Sequence, residues 1–166
     1  RTQNLKALSL DCEFNKVEKN GSKIGVIAAG TTYVYAKEAL GDKVDFLKLG
    51  MVYPLPEKLI KDFAENHDEL WVIEELDPVI ENHVKALGID CIGKEKFSIL
   101  GEFSQNTIAK AFDKELPESV SADSVIPNRP PMMCAGCPHR GLYYTLAKNK
   151  ITALGDIGCY TLGAAP

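Results

Sequence analysis

The sequence predicts a three-layer α/β/α domain with a mostly parallel sheet, carried by residues 23–115 of the 166. Three observations predict it. A continuous apolar run at 24–29 and further apolar-rich stretches at 44–49, 70–73 and 97–100 each have the length of a buried strand. Between them lie segments whose apolar residues repeat at helical spacing. Strands that alternate with helices need crossover connections, and these crossovers cover both faces of a parallel sheet.

The elements follow in order. Residues 1–22 give weak signals: 8–12 reads as extended and 15–21 as polar and turn-like, so an entry linker is expected, with Cys12 an ordinary part-buried thiol. The run 24–29 ends at Gly30, and Thr31 or Thr32 is expected to cap a helix reaching Leu40 and closed by Gly41. The run 44–49 ends at Gly50. Residues 53–56, with Pro54 and Pro56, form a rigid connection, and Pro56 opens a helix that turns Leu59, Ile60, Phe63 and Ala64 inward. After the run 70–73, Asp77 is expected to cap a helix with Pro78 at its first position, burying Ile80, Val84 and Leu87 before Gly88. The run 97–100 is expected to be the last strand. Ser104 then caps a helix with Ile108, Ala109 and Phe112 inside.

Residues 116–131 break this pattern. Four prolines with several Ser, Glu and Asp, and no apolar period, predict an extended linker. Residues 132–166 then begin a second domain. The chain opens on Arg1 and stops at Pro166, just past a turn motif, which reads as an excerpt of a longer protein.

Composition excludes several classes. Apolar content of 45% supports a core and 25% charged residues a solvated surface. Nineteen basic against 23 acidic side chains leave a net charge of −4, which argues against nucleic acid as the main partner. No apolar run approaches membrane-spanning length and no signal-peptide pattern opens the chain. Five cysteines, unevenly spaced, fit a reducing, cytoplasmic compartment better than a secreted disulfide scaffold.

Chemistry concentrates between Cys134 and Gly163. Cys134 and Cys137 form a Cys-x-x-Cys with Pro138 next, so Cys137 is expected at or beside a helix N-terminus, where the dipole favours thiolate. Leu142, Tyr143 and Leu146 continue at helical spacing. Residues 151–154 read as a short buried strand leading into the glycine-rich turn 155–158, whose free N–H groups suit a phosphate. Asp156, Gly158, Cys159 and Tyr160 are therefore candidate cofactor-binding residues, against the plainer reading that Asp156 and the glycines only shape a turn. Cys134, Cys137 and Cys159 are candidate metal or cluster ligands, with His139 a possible fourth for zinc. A reduced thiol pair at a domain junction is the rival reading.

Other polar residues get plainer readings. His139 and Arg140 either meet an anion or bond nearby carbonyls. His83 reads as a boundary core residue and His67 as solvated. Glu74 and Glu75 stand at a strand's carboxyl end, where α/β ligands bind, yet paired acids there serve more often as caps or interface contacts. The Thr31–Thr32 turn has one glycine, weak evidence for a phosphate cradle. No catalytic residue is assigned.

Six motifs together carry a resemblance: Ile-Ala-Ala-Gly-Thr-Thr-Tyr at 27–33, Leu-Gly-Met-Val-Tyr-Pro-Leu-Pro at 49–56, Glu-Glu-Leu-Asp-Pro-Val-Ile-Glu at 74–81, Gly-Glu-Phe-Ser at 101–104, Cys-Ala-Gly-Cys-Pro-His-Arg at 134–140 and Gly-Asp-Ile-Gly-Cys-Tyr-Thr-Leu-Gly at 155–163. In this order they resemble the catalytic (alpha) subunits of indolepyruvate ferredoxin oxidoreductases. The resemblance implies a transketolase C-terminal-like domain followed by the start of a thiamine-diphosphate-binding domain. It implies an anaerobe's enzyme that oxidatively decarboxylates aryl 2-oxo acids, passing the acyl group to coenzyme A and electrons to ferredoxin. Its implied cofactors are thiamine diphosphate with magnesium and 4Fe–4S clusters, and its implied partner is a second subunit. Related enzymes hold a cluster with a Cys-x-x-Cys and a later Cys, the places of Cys134, Cys137 and Cys159. The family's Gly-Asp-Gly…Asn metal segment is absent from this chain, so the excerpt alone is expected to be inactive. Two other classes stay open: a metal or thiol-redox module centred on Cys134 and Cys137, and a non-catalytic α/β assembly domain.

Overall fold

The structure, a computed structural model, describes residues 2–118, 127–128 and 130–164. The chain divides into two compact units, Arg1–Glu118 and Ser119–Pro166. Most of the expected linker (119–126 and 129) lies outside the described residues, as do the last two positions.

The first unit is built on a four-stranded sheet in the order β1-β3-β2-β4. β2 (Ile24–Ala29) lies at its centre, parallel to β3 (Asp45–Leu49) on one side and to β4 (Glu69–Ile73) on the other. Side chains alternate across the sheet, so β2 feeds two cores at once. Val26 and Ala28 join Phe46, Trp71 and Ile73 on one face, covered by Ala36 and Leu40 of α2 (Gly30–Leu40) and Ile108 of α5 (Gln105–Ala111). Ile27 joins Leu47, Leu49 and Val72 on the other face. Ile60 and Phe63 of α3 (Glu57–Ala64) and Ile80 and Val84 of α4 (Val79–Ala86) cover them. This is the expected α/β/α sandwich, and its three parallel strands fall on predicted apolar runs.

Two expectations need correction here. Residues 1–22 carry structure rather than a linker: α1 (Thr2–Leu10) packs beside α3, and β1 (Lys16–Glu18) pairs antiparallel with β3, Val17 opposite Leu47. A three-residue edge strand with charged ends shows no apolar run; its partner, not its composition, makes it a strand. Conversely, residues 97–100 form no strand. Phe97 is buried against Trp71, but Ile99 and Leu100 face solvent. The place beside β4 goes to Ile92, which makes a single parallel bridge to Trp71 through two 2.8 Å hydrogen bonds, from Ile92 N to Leu70 O and from Val72 N to Ile92 O.

Capping also departs from expectation in part. Ser104 caps α5 as predicted, its hydroxyl accepting from Thr107 N. Neither threonine caps α2; the Thr32 hydroxyl instead donates back to Ala29 O at 2.6 Å. Pro78, not Asp77, occupies the N-cap of α4, and no side chain of the cap residue bonds there.

In the second unit, α6 (His139–Lys148) follows the Cys-x-x-Cys, with Pro138 at its N-cap, and α7 (Cys159–Ala164) follows the glycine-rich turn. The expected buried strand at 151–154 is not one. Those residues belong to no regular element, and Leu154 is 100% exposed. A strand needs a neighbour, and the described part of this unit supplies none.

Candidate functional site

The candidate site in the second unit is built from a turn, two helices and one cavity. Gly136 at φ +73 lets the chain reverse inside Cys-x-x-Cys, and Cys137 N bonds Cys134 O at 3.2 Å to close the turn. Arg140 pins the same turn from the helix: Nε donates to Cys134 O at 3.0 Å and the guanidinium to Met133 O. Of the two readings for Arg140, the structure shows the carbonyl-bonding one. His139 Nδ1 lies 3.6 Å from the Cys137 sulfur.

Three aromatic rings then lock α6 to α7. His139 meets Tyr160 edge-on at 5.4 Å, Tyr143 meets Tyr160 at 6.5 Å, and His139 lies 6.1 Å from Tyr143. Gly163 packs its bare α-carbon against the Tyr143 ring, where any Cβ would overlap it. The Tyr143 hydroxyl is enclosed with no hydrogen-bond partner among the described residues. Loss of water raises the Tyr143 phenol above its ordinary value, and negative charge on Tyr160, Cys137 and Cys159 adds to the rise. A His and a Tyr four apart on one helix is the sequence signal for this cluster, whereas helical spacing by itself marks Tyr143 only as an apolar helix residue.

A cavity of about 940 Å³ opens between α6 and the segment 151–163. Leu142, Leu146, Ile151 and Ile157 give it apolar walls, while Asp156 and Tyr160 give it polar ones. The structure thus puts two of the four candidate cofactor residues on one wall. Gly158 and Cys159 are not on it. Gly158 takes φ +112, open to glycine alone, with nothing near its α-carbon. Asp156 Oδ1 accepts from Ile157 N at 2.7 Å, so the carboxylate also shapes its own turn.

The three candidate metal ligands are not gathered. All five cysteines are free; Cys134 and Cys159 are exposed and Cys137 half-buried. Among the described residues, no three His, Cys, Asp or Glu side chains converge on a metal position. A cubane cluster takes four thiolates. The described residues by themselves do not fit one.

In the first unit the carboxyl end of β4 is closed by its own acids. The Glu74 carboxylate accepts from Ile80 N and Glu81 N, and Glu75 accepts from Phe103 N at 2.7 Å. Glu74 caps α4, the plainer of its two readings, while Glu75 holds the chain just before Ser104, the cap of α5. Glu81 is buried beside them: burial pushes its carboxyl up, but bonds from the Lys85 ammonium and Lys94 N bring it below the ordinary value. Burial also pushes the Cys91 thiol up to about 11, an inert sulfur at neutral pH.

His67 is a correction. Its side chain is 3% exposed rather than solvated, with Nδ1 2.7 Å from Phe63 O and Nε2 3.3 Å from Asp45 Oδ2. The other Asp45 oxygen accepts from Asn20 N and Ser22 N. Burial raises the Asp45 carboxyl, and these two amides and His67 outweigh it, leaving it below its usual value. His83 is half-buried as expected, its Nε2 without a hydrogen-bond partner among the described residues.

The class is that of an α/β protein with a wound, mostly parallel sheet, whose second unit carries a thiol-bearing, glycine-rich turn. Comparison with known proteins narrows it. Residues 15–125 match the family model described as "Indolepyruvate oxidoreductase domain". The chain is 35% identical to indolepyruvate oxidoreductase subunit IorA of Archaeoglobus fulgidus, with 91% of the chain and 28% of that protein aligned. It is 36% identical to the IorA subunits of Thermococcus kodakarensis and Methanothermobacter thermautotrophicus, with 94% of the chain and 28% and 29% of those proteins aligned. The chain belongs to the indolepyruvate oxidoreductase family. It spans less than a third of the length of these relatives. Among the described residues no helix is long and apolar enough to cross a membrane.

Proposed function

We propose that the chain is part of the catalytic subunit of a 2-oxo acid:ferredoxin oxidoreductase acting on indolepyruvate-like aryl 2-oxo acids. In that protein the wound sheet is a transketolase C-terminal-like body serving assembly with the second subunit, and the second unit frames one side of a thiamine-diphosphate pocket. The observation that carries this reading is the extent of the likeness, which runs through both units at 35–36% identity. The cavity wall bearing Asp156 and Tyr160 supports its second half. When bound, thiamine diphosphate supplies a carbanion-stabilising centre. This chain's contribution is to shape the turn through Gly158 and to present Tyr160 and the apolar wall that keeps water off a bound ligand. Coenzyme A as acyl acceptor, ferredoxin as electron acceptor and 4Fe–4S clusters belong to the same reading. Cys134, Cys137 and Cys159 would need to move together and meet a fourth thiolate to join a cluster.

The test uses the full-length subunit with its partner subunit. Gly158→Val forces a branched side chain into φ +112 and is expected to weaken thiamine-diphosphate binding at least tenfold by calorimetry. Unchanged affinity would overturn the pocket assignment. Failure of the assembled wild-type protein to reduce ferredoxin with indolepyruvate and coenzyme A would overturn the activity.

A further inference from the structure

The sheet changes winding direction between β2 and β4. The helix after β2 packs on one face of the sheet and the helix after β4 on the other. In open α/β sheets, the crevice at the carboxyl ends of two such neighbours receives the ligand, and an anionic group rests on the N-terminus of the following helix.

In this protein that place is filled from within. Glu74, the first residue past β4, is buried, and its two carboxylate oxygens accept from Ile80 N at 2.9 Å and Glu81 N at 2.8 Å, both in the first turn of α4. A cation completes the arrangement. Lys94 Nζ donates to Glu74 O and lies 5.2 Å from the Phe103 ring centroid. Its backbone N–H also holds Glu81 Oε2 at 2.8 Å, so Lys94 is fixed at the crevice rather than passing by. Two convergent amides, a helix dipole and a half-buried ammonium close by are what an anion site consists of, and here the anion is covalently attached. Glu75 seals the outer side by accepting from Phe103 N.

We propose that the Glu74 carboxylate is the resident anion of the wound sheet's ligand position, and that it closes this crevice to external phosphates and carboxylates. The sheet is then a body whose binding place is self-occupied, and any acidic substrate or phosphorylated cofactor of the intact protein is bound elsewhere. This goes beyond the functional reading above and stands or falls separately from it.

The test follows the Ile80 and Glu81 amide resonances of the 166-residue chain during titration with sodium acetate and with inorganic phosphate, against sodium chloride at matched ionic strength. In the wild type these two amides stay unmoved by either anion. In Glu74→Ala the melting temperature falls, and acetate shifts both amides saturably and restores the melting temperature where chloride does not. Wild-type shifts at these amides on adding phosphate, or a folded Glu74→Ala chain that ignores acetate, would overturn the proposal. Should the alanine variant fail to fold, Glu74→Gln keeps the shape and loses the charge. It is expected to melt lower than wild type, because its carboxamide oxygen accepts from only one of the two amides and its NH2 group faces the other, and an unchanged melting temperature would count against a resident charge. The wild-type phosphate titration decides the matter in every case.

Discussion

The two units handle apolar surface in opposite ways. In the first, Val26, Ile27, Phe46 and Ile73 are fully enclosed between helices, and polar groups pulled inside, such as Asp45 and Glu74, are met by amides. In the second, no described residue is buried; Leu154 is 100% and Ile157 90% exposed, and the Tyr143 hydroxyl is enclosed without a partner among the described residues. Both units have near-identical raw material in the sequence: apolar runs, glycine turns and helix starts. What separates them is the number of neighbours. A run becomes a core strand only when strands on both sides and helices on both faces are present, as they are for β2 and are not for residues 151–154.

That contrast can be broken or sharpened by substitution, read through Trp71, the only tryptophan and a buried reporter of the first unit. The largest effect is expected from Phe46→Ala, which removes a fully buried ring from the core and should cost ~3–5 kcal/mol in urea denaturation. Asp45→Asn comes next at about 2 kcal/mol, because the charge that meets Asn20 N, Ser22 N and His67 is gone. The same pair gives a pH test. The Asp45 carboxyl is held below its ordinary value, so its contribution is present above about pH 3.8 and is lost as the pH falls below that. Wild-type stability should therefore drop towards Asp45→Asn in acid, and parallel curves would contradict the bonding seen. Ser104→Ala should cost ~1 kcal/mol by removing the cap of α5. The smallest effect is expected from Leu154→Ala in the second unit, within about 0.5 kcal/mol of wild type when unfolding is followed by far-ultraviolet dichroism. A large loss there would mean that this segment is packed against something and that the contrast between the units is wrong. Gly163→Ala, which drives a methyl into the Tyr143 ring, should loosen the α6–α7 contact in near-ultraviolet dichroism while leaving the Trp71 transition in place.

How far the sequence could be read follows from the same physics. The strands β2, β3 and β4 were legible because burial on both faces writes itself as an unbroken apolar run. The edge strand at Lys16–Glu18 was not, since an edge that faces water needs no such run. Phe97 to Leu100 misled because an apolar run marks a wish for burial, not a strand; only Phe97 is satisfied. His67 was misjudged because its polar neighbours suggest solvent, while the group that encloses it, Asp45, lies 22 positions away on β3. In the candidate site, the turn glycines and Cys137 beside a helix start were readable from local chemistry. Whether the three thiols meet was not, because that depends on segments brought together from a distance.

One feature of the first unit also bears on how it comes into being. β2 is the central strand, yet both of its parallel partners follow it in the chain, and the second ends only at Ile73. During synthesis Ile24–Ala29 gains β3 as a neighbour within about twenty further residues, but its other edge stays open until β4 ends at Ile73, some forty residues on. Through that interval one edge of the central strand has no partner, so slowed translation between Gly50 and Glu69 should raise demand for chaperones more than the same pause after Ile73.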